Sequence, residues 1–431
     1  MPAKSCRRIN DSCLSRFRHY GRPQFVPNGV ALTTGHWLFW SVALIATGSL
    51  VALVFVQLTA SFAIRRANGK RAPGQHQPSV SVLKPIKGAD VSLSENLTAF
   101  ARQDYPDFEL VLGIEDPEDP AIPVVRSFQR NHPEVPIQVL IGAPAVGMNP
   151  KVNNLTFMSR FASHDLWLIS DADVVPEPGY LARLVSEWDG ESVGLVHSTL
   201  VGQDEQTLGA IFESIHLNTL VASMIWGAGV AGHHCVIGKS VLFHKELLAQ
   251  MGGWRTFENV LAEDYMLGQF AKQCRVGVKL CTDPLPVRNR ERSFSSFINR
   301  HVRWAQMRRR ISLFAYLCES TSNPLAWLAL LWALAGLGPS GAVFGRGFWV
   351  ASLVFVLVKC LSDEVMARSV RRSGLGLLQL ALVPLKDLLI AGIWWVGFFK
   401  RSVNWRGNVM FIGPGTQLSP PLKENLAANR A

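Results

Sequence analysis

The spacing of apolar and polar positions divides the chain into three parts. Residues 37–64 form a stretch of 28 positions without a formal charge, which is long enough to cross a bilayer with some tilt. Between residues 79 and 187, short apolar runs alternate with helical patterns, and after residue 310 the chain becomes apolar again. This pattern predicts an α/β domain between membrane segments at the two ends of the chain.

The middle part reads as alternating strands and helices. Strands are expected at 80–85, 109–114, 137–141 and 166–169, and helices at 93–102, 122–131, 152–163 and 180–187. Such alternation indicates a mainly parallel sheet. Parallel sheets bind ligands at the carboxyl ends of their strands, which is where Asp116, Asp171 and Asp173 fall.

The membrane segments differ between the two ends. The first is too long for a signal-peptide core and is followed by two arginines, which favours an uncleaved anchor. Near the C-terminus, three apolar stretches predict two to four membrane elements: 320–345, 347–358 and 373–399. The charged pair Lys386-Asp387 interrupts the third stretch, which predicts a broken or re-entrant pair.

These observations give a predicted organisation in seven parts. They are a basic tail (1–35), a transmembrane anchor (36–65), a linker (66–78), the sheet domain (79–292), an interfacial helix rich in Arg and Trp (293–319), membrane helices (320–400) and a C-terminal tail (401–431).

The distribution of charge along the chain indicates which partner the protein contacts. The formal net charge is +11, but residues 1–71 hold ten Lys/Arg against one Asp, whereas residues 72–320 are net acidic. Basic clusters beside apolar segments are typical of contact with anionic lipid headgroups, so we expect a membrane and no nucleic acid as partner. Arg368, Arg371 and Arg372 indicate a cytoplasmic loop, while both flanks of the first segment are basic and leave its orientation open.

Composition excludes several classes of protein. Hydrophobic residues make up 48% of the chain, which excludes intrinsic disorder. The seven cysteines include no C-x-x-C pair, which indicates reduced thiols rather than a disulfide scaffold. There is no Walker A pattern, so a P-loop NTPase has no support.

Acidic residues provide the first candidate chemistry. Asp171 and Asp173 are one residue apart after a strand and can hold a divalent cation that bridges nucleotide phosphates, although a solvated turn has the same composition. Asp116 could accept hydrogen bonds from a uracil or a ribose, or could belong to an ordinary acidic loop. Asp264 opens a predicted helix and could be a general base, although acids are also favoured in a first helical turn.

Cationic residues provide the second set. Arg300, Arg303 and Trp304 lie in an arginine-rich stretch that could bind phosphate and stack on a ring, or could form an amphipathic helix on lipid. Lys84 and Lys151 are further candidates near the acidic positions, although each alone could be an ordinary surface lysine.

The order of these residues resembles a known series. Asp116, Asp171-x-Asp173, Glu263-Asp264 and Arg300-x-x-Arg303-Trp304 resemble the D, DxD, ED, (Q/R)xxRW series of inverting processive and lipid glycosyltransferases. Shorter strings look like the ceramide glucosyltransferases of family 21: Ser81-Val-Leu-Lys-Pro-Ile-Lys-Gly88, Asp119-Pro-Ala-Ile122, Asn149-Pro-Lys-Val-Asn-Asn-Leu155, Gly194-Leu-Val-His197, Ala262-Glu-Asp-Tyr265 and Trp405-Arg-Gly. The likeness runs in order from about 80 to 410.

This resemblance implies a fold, an activity and a location. The expected fold is a GT-A-type α/β domain with a mainly parallel sheet, joined to N-terminal and C-terminal transmembrane helices. The expected activity is the inverting transfer of glucose from UDP-glucose to the primary hydroxyl of ceramide or a similar lipid. The expected protein is an integral membrane enzyme whose catalytic domain faces the cytoplasm, in the inner membrane if the source is bacterial.

The resemblance also implies a role for each residue. Asp264 would be the catalytic base, and Asp116 would contact the uridine. The remaining expected roles are nucleotide-sugar binding by Lys84, Lys151, Asp171 and Asp173, with Mg²⁺ or Mn²⁺ on Asp171 and Asp173, and leaving-group binding and acceptor closure by Arg300, Arg303 and Trp304.

Two alternatives remain beside this expectation. Animal family members have Asp-Ser-Gly where this chain has Asp171-Ala172-Asp173. This difference leaves open whether the chain binds its sugar-nucleotide donor as the animal members do. The hopanoid-associated glycosyltransferases, a sister group, would instead transfer N-acetylglucosamine from its UDP donor to a hopanoid lipid. A processive polysaccharide synthase shares the aspartate series but needs more helices for a polymer channel.

Overall fold

A computed structural model describes residues 28–67, 77–288, 290–337, 345–405 and 408–421. The predicted basic tail up to residue 27 and most of the predicted linker lie outside these ranges. The described chain consists of a sheet domain, a set of long apolar helices and a small C-terminal sheet.

Seven strands form the central sheet. They are β1 (Val80–Ile86), β2 (Phe108–Ile114), β3 (Ile137–Ile141), β4 (Leu166–Ser170), β5 (Val193–Gln203), β6 (Ser240–His244) and β7 (Gly277–Arg288), in the order β3-β2-β1-β4-β6-β5-β7. β6 is antiparallel to both of its neighbours, and the other strands run parallel. The predicted α/β domain with a mainly parallel sheet is confirmed.

Helices cover both faces of the sheet, and further helices follow its last strand. They are α2 (Leu93–Ala101), α3 (Ala121–Asn131), α4 (Pro150–Met158), α5 (Tyr180–Val185), α6 (Leu208–His216), α7 (Ala222–Val230), α8 (Lys245–Gln250), α9 (Glu263–Gln273), α10 (Phe294–Ile311) and α11 (Leu313–Glu319). Alternate residues of one strand point to opposite faces, so Val82 and Leu83 belong to two separate buried cores.

Two predicted helices differ at their ends. The helix predicted at 152–163 is α4, which begins at Pro150 because the Asn149 side chain accepts hydrogen bonds from the backbone N–H groups of Lys151 and Val152. The single interfacial helix predicted at 293–319 is instead the pair α10 and α11, because Ser312 adopts an extended backbone and caps α11.

Four further helices complete the apolar part: α1 (Asn28–Ala67), α12 (Pro324–Leu337), α13 (Arg346–Arg371) and α14 (Leu377–Phe399). In the described residues, three segments are long and apolar enough to cross a membrane: Trp37–Ala67, Leu208–Val230 and Leu377–Phe399. The second was not expected. Its most apolar window is 72% buried inside the protein, against 28% for the other two, so its apolar character matches a packed interior.

The predicted interruption at 373–399 is wrong, because α14 runs through Lys386 and Asp387 as one helix. Both charges are paired: Lys386 contacts Asp387, and Asp387 Oδ2 lies 2.9 Å from Lys359 Nζ of α13. Asp363 of α13 lies 2.5 Å from the same lysine. Because each of these buried charges has an oppositely charged partner, α14 continues as a helix past Lys386 and Asp387.

The region predicted as a C-terminal tail is folded as far as it is described. β8 (Ser402–Trp405), β9 (Asn408–Ile412) and β10 (Leu418–Ser419) form an antiparallel sheet. Backbone hydrogen bonds join this region to the loop before α9: Leu261 N donates to Thr416 O at 3.0 Å, and Leu418 N donates to Asn259 O at 2.7 Å.

Candidate active site

A cavity of about 570 Å³ lies at the carboxyl ends of β1 and β4. Its wall is built from the turn after β4, the start of α4, the segment before β6, the start of α9, one side of α10 and the end of β8. Seven of the nine predicted site residues line it: Lys151, Asp171, Asp173, Asp264, Arg300, Arg303 and Trp304. Predicted site residues up to 153 positions apart in sequence, Lys151 and Trp304, therefore share one cavity.

The two aspartates after β4 are surrounded by lysines. Asp171 Oδ1 lies 3.1 Å from Lys151 Nζ, and Lys239 Nζ lies 3.5 Å from Asp171 Oδ2 and donates a short hydrogen bond to Asp173. Burial alone would raise the pKa of Asp173, but the Lys239 ammonium and the Arg300 guanidinium together outweigh it and hold the pKa below its ordinary value. Asp173 is therefore held as an anion at the cavity wall.

Lys84 lies outside the described lining of this cavity. Its side chain is fully buried, with Nζ 3.8 Å from the centre of the Phe100 ring, and it donates to Asp171 O at 2.9 Å and to Ser170 Oγ at 3.2 Å. Burial lowers the pKa of Lys84 to about 7. In this structure Lys84 therefore stabilises the backbone at Asp171 by hydrogen bonds from the protein interior.

Asp116 is also outside the described lining. It is exposed in the loop between β2 and α3, and its Oδ1 accepts a hydrogen bond from Glu118 N at 2.9 Å. The neighbouring residue Glu115 does line the cavity. A uridine contact by Asp116 therefore stays a prediction.

Asp264 lies in the first turn of α9 and faces the same cavity. Gly238 N donates to its Oδ2 at 2.6 Å, and Tyr265 N donates to its Oδ1 at 2.7 Å. Burial raises the pKa of Asp264 above its ordinary value, although Lys151 and these N–H groups oppose the shift. A carboxylate with a raised pKa is a stronger proton acceptor than a solvated one.

The close approach of Gly238 to Asp264 requires the absence of a side chain. A Cβ at position 238 would lie 2.8 Å from Asp264 Cβ and 2.9 Å from Lys151 Nζ. Glycine at this position therefore lets the backbone N–H reach the carboxylate.

Lys151 connects the two acidic groups of the cavity. Its Nζ lies 3.1 Å from Glu263 Oε1 and donates to Gly238 O at 2.9 Å, in addition to its contact with Asp171. Burial by itself would lower the pKa of Lys151, but three nearby carboxylates, led by Asp171, outweigh it and raise the pKa. Lys151 is therefore held as a cation between α9 and the β4 turn.

α10 brings the arginines to the opposite wall. The Arg300 guanidinium lies 4.9 Å from the centre of the Trp304 ring, which is within cation–π range. Arg300 Nη1 also lies 3.5 Å from Glu213 Oε1 on α6, and His301 Nε2 lies 2.9 Å from Glu213 Oε2. Glu213 is fully buried, so a fixed anion behind α10 orients the arginine.

The donor set at Asp171 and Asp173 suits a hard divalent cation with phosphate. Among the described residues, no cluster of three or more His, Cys, Asp or Glu side chains could hold a metal ion by itself. Mg²⁺ is commonly bound by one or two carboxylates, and phosphate oxygens and water complete its octahedron. Two carboxylates on a cavity wall fit that arrangement.

The structure adds two residues that the sequence did not indicate. Lys239 lines the cavity, as does Trp405 of the Trp405-Arg-Gly string, and Glu213 lies behind α10. Lys239 comes close to Asp171 only because β4 pairs antiparallel with β6, with Ser170 opposite Ser240. Glu213 had only one signal, which is that it is the single charged residue of the apolar segment 208–230.

Comparison with known proteins assigns this fold and cavity to a class. The family model described as "Glycosyl transferase family 21" matches residues 43–418, which is most of the chain. The protein is therefore a glycosyltransferase. More particularly, the chain belongs to glycosyl transferase family 21.

Curated relatives agree with this family. Ceramide glucosyltransferase 3 of Caenorhabditis elegans is 26% identical over 367 residues, which cover 84% of this chain and 78% of the relative. Ceramide glucosyltransferase 1 of the same organism is 34% identical over 258 residues, covering 59% and 55%. Among solved structures, the mannosyltransferase PcManGT from Pyrobaculum calidifontis, in complex with GDP-Man and Mn²⁺, matches with a TM-score of 0.44 at 18% identity, over 83% of this chain and 99% of that chain.

Proposed function

We propose that this enzyme is membrane-bound and transfers a hexose, glucose from UDP-glucose, to the primary hydroxyl of ceramide or a similar lipid, with inversion at the anomeric carbon. The observation that carries the proposal is that one cavity contains groups suited to different parts of the reaction. A buried carboxylate with a raised pKa, Asp264, shares it with a metal-competent pair, Asp171 and Asp173, and with the arginines of α10.

The proposed reaction follows from the arrangement of these groups. Asp264 accepts the proton of the lipid hydroxyl as its oxygen forms the bond to the anomeric carbon. The bond between that carbon and the diphosphate oxygen breaks on the opposite face, which inverts the centre. Arg300 and Arg303 bind the departing phosphate and stabilise its negative charge. A bound Mg²⁺ or Mn²⁺ on Asp171 and Asp173 would supply further neutralisation of the diphosphate.

A lipid acceptor is supported by the apolar side of the cavity. Ile237, Leu261, Met307 and Trp405 line it beside Trp304. α10 leads through α11 directly into the apolar helix α12. An acceptor with a polar head and apolar chains could therefore place its hydroxyl in the cavity while its chains stay near the membrane helices. The names of the curated relatives support ceramide as the acceptor.

The proposal is tested on detergent-purified full-length protein. With UDP-glucose, Mg²⁺ or Mn²⁺ and ceramide, we expect hexosylceramide by mass spectrometry, and we expect Asp264→Asn to lose transfer by at least about 100-fold while still binding UDP. Asp165→Asn is the matched control, because Asp165 is an exposed aspartate paired with Lys245 and does not line the cavity. Full turnover by Asp264→Asn would contradict the assignment of the base.

A panel of substrates tests the rest of the proposal. UDP-galactose, the UDP donor of N-acetylglucosamine and a hopanoid acceptor are offered in the same assay, with product length measured for each. Faster transfer to a hopanoid, or a polymeric product, would replace ceramide glucosylation with one of the two alternatives.

A further inference from the structure

Lys239 pairs with both carboxylates of the candidate metal site, Asp171 and Asp173. Its side chain is only 6% exposed, and its Nζ contacts Asp173 and lies 3.5 Å from Asp171 Oδ2. The lysine is fixed there by the sheet, because the β4–β6 register sets Ser170 opposite Ser240 and Asp171 N lies 3.3 Å from Lys239 O. The ammonium therefore contacts the same carboxylate oxygens that a divalent cation would bind.

The other two lysines near this pair have different partners. Lys84 donates to Ser170 Oγ and to the backbone oxygen of Asp171, and so leaves the carboxylates accessible. Lys151 is shared between Asp171, Glu263 and the Gly238 carbonyl group. Lys239 is thus the described lysine that pairs directly with Asp173.

A cation at this place has two electrostatic consequences. It repels a divalent ion that approaches the same oxygens, and this repulsion is strong where water is largely excluded. It also attracts a phosphate group that enters the cavity, which Lys239 itself lines. A lysine ammonium on a flexible four-carbon stem can move from a carboxylate to a phosphate without a change in the backbone.

We propose that Lys239 is a built-in counter-ion that keeps the donor-free site from binding divalent metal and releases Asp173 when a nucleoside diphosphate enters. The metal then binds tightly only together with the diphosphate, to which the Lys239 ammonium transfers. This inference rests on the proposed use of a nucleotide-sugar and a divalent metal, and it assigns to Lys239 the order in which the two bind.

The test measures metal binding directly, without turnover. Free Mn²⁺ is followed by electron paramagnetic resonance on the purified full-length protein, with and without UDP. For the wild type, we expect Mn²⁺ affinity to rise by about tenfold or more when UDP is present. For Lys239→Met and Lys239→Gln, we expect Mn²⁺ alone to bind about tenfold more tightly than to the wild type, with a much smaller gain from UDP.

Matched variants separate the local effect from the loss of a charge. Lys245→Met removes a lysine that pairs with Asp165, is 47% exposed and lies outside the lining of the cavity, so its Mn²⁺ affinity is expected to equal that of the wild type. Lys239→Arg keeps the cation and is expected to bind Mn²⁺ alone as weakly as the wild type. Thermal unfolding with and without Mn²⁺ verifies that each variant is folded, and Mn²⁺ is expected to stabilise the Met and Gln variants more.

Two results would overturn the inference. One is a wild-type Mn²⁺ affinity that UDP does not change although the protein binds UDP, which can be seen even if no variant folds. The other is an unchanged or weaker Mn²⁺ affinity in Lys239→Met and Lys239→Gln. Failure of the proposed function would look different, because the wild type would then bind no UDP or transfer no hexose with Mn²⁺ present.

Discussion

At the scale of single residues, the site depends on how buried charges are paired. Asp264 has its carboxylate fixed by two backbone N–H groups, and Arg300 is held by an anion on another helix. In both cases the functional group is oriented by a partner that the substrate need not touch. Positioning of this kind is what allows a side chain to act without first reorganising.

The raised pKa of Asp264 predicts the pH dependence of turnover. The base must be deprotonated to act, and burial holds its pKa above the ordinary value of 3.8. The protonated, inactive form therefore persists to higher pH than in a solvated aspartate, and kcat is expected to fall as the pH drops through that raised pKa. A pH profile of kcat checks this, with circular dichroism to verify folding. An acidic limb at or below 3.8 would contradict it.

Removing the anion behind Arg300 is expected to weaken donor binding. Glu213→Gln keeps the size of the side chain but leaves Arg300 and His301 without their counter-charge. Breaking a buried ion pair on one side costs about 3–5 kcal/mol, so we expect a clear drop in the unfolding temperature as well as a higher KM for the donor. Glu205→Gln is a suitable control, because Glu205 pairs with Arg371 away from the cavity. An unchanged KM in Glu213→Gln would show that Arg300 is held by other contacts.

The sequence predicted the residues of the site better than their partners. Asp171, Asp173 and Asp264 follow patterns that local chemistry explains, such as turns after strands and acids in first helical turns. Lys239 and Glu213 follow no such pattern, because their positions depend on the pairing of β4 with β6 and on the packing of α6 against α10. Contacts between distant segments leave no periodic signal in a single sequence.

At the scale of elements, the C-terminal sheet supports the loop that precedes the base. Leu418, Ile412 and Met410 pack with Leu261, three residues before Asp264. Thr416 adds a backbone bond to Leu261 and accepts from Ala262 N. The prediction of a simple tail failed here because a few short strands near the end of a chain have too few residues to produce a clear period.

Loosening the C-terminal sheet is expected to reduce turnover through the loop that precedes Asp264. Leu418→Ala removes a buried side chain from the contact with Leu261, at a cost of about 2–5 kcal/mol, and we expect kcat to fall more than UDP affinity. Val409→Ala is the matched control, because Val409 lies in the same sheet with 51% of its surface exposed. Equal kcat values for the two variants would argue against a supporting role of the sheet.

The polar cluster between α13 and α14 is expected to be essential for stability. It is balanced, with Lys359 and Lys386 against Asp363 and Asp387. Asp387→Asn leaves an uncompensated buried cation, so we expect a large drop in the unfolding temperature in detergent. The double variant Lys386→Met with Asp387→Asn restores the balance of charge and is expected to recover part of that loss. A double variant less stable than the single one would contradict this.

At the scale of the whole molecule, the basic ends of two long apolar helices lie next to the sheet domain. α1 has Arg65 and Arg66 in its last turn and ends at Ala67, ten positions before the described chain resumes at residue 77. At the end of α13, Arg371 lies 3.1 Å from Glu205, and Arg372 lies 3.5 Å from Asp283 of β7. The arginines at the end of α13 therefore contact the sheet domain directly.

This arrangement predicts a sheet domain in the cytoplasm. Loops rich in Lys and Arg stay on the cytoplasmic side of a membrane, and the basic ends of α1 and α13 adjoin the domain that contains the cavity. In sealed inside-out vesicles, protease is expected to cleave the sheet domain, and in right-side-out vesicles the domain is expected to be protected until detergent is added. Extraction by high salt is expected to fail, because Trp37–Ala67 and Leu377–Phe399 are long enough to span a bilayer. Cleavage in right-side-out vesicles alone would place the cavity on the other side, away from a cytoplasmic supply of sugar nucleotide.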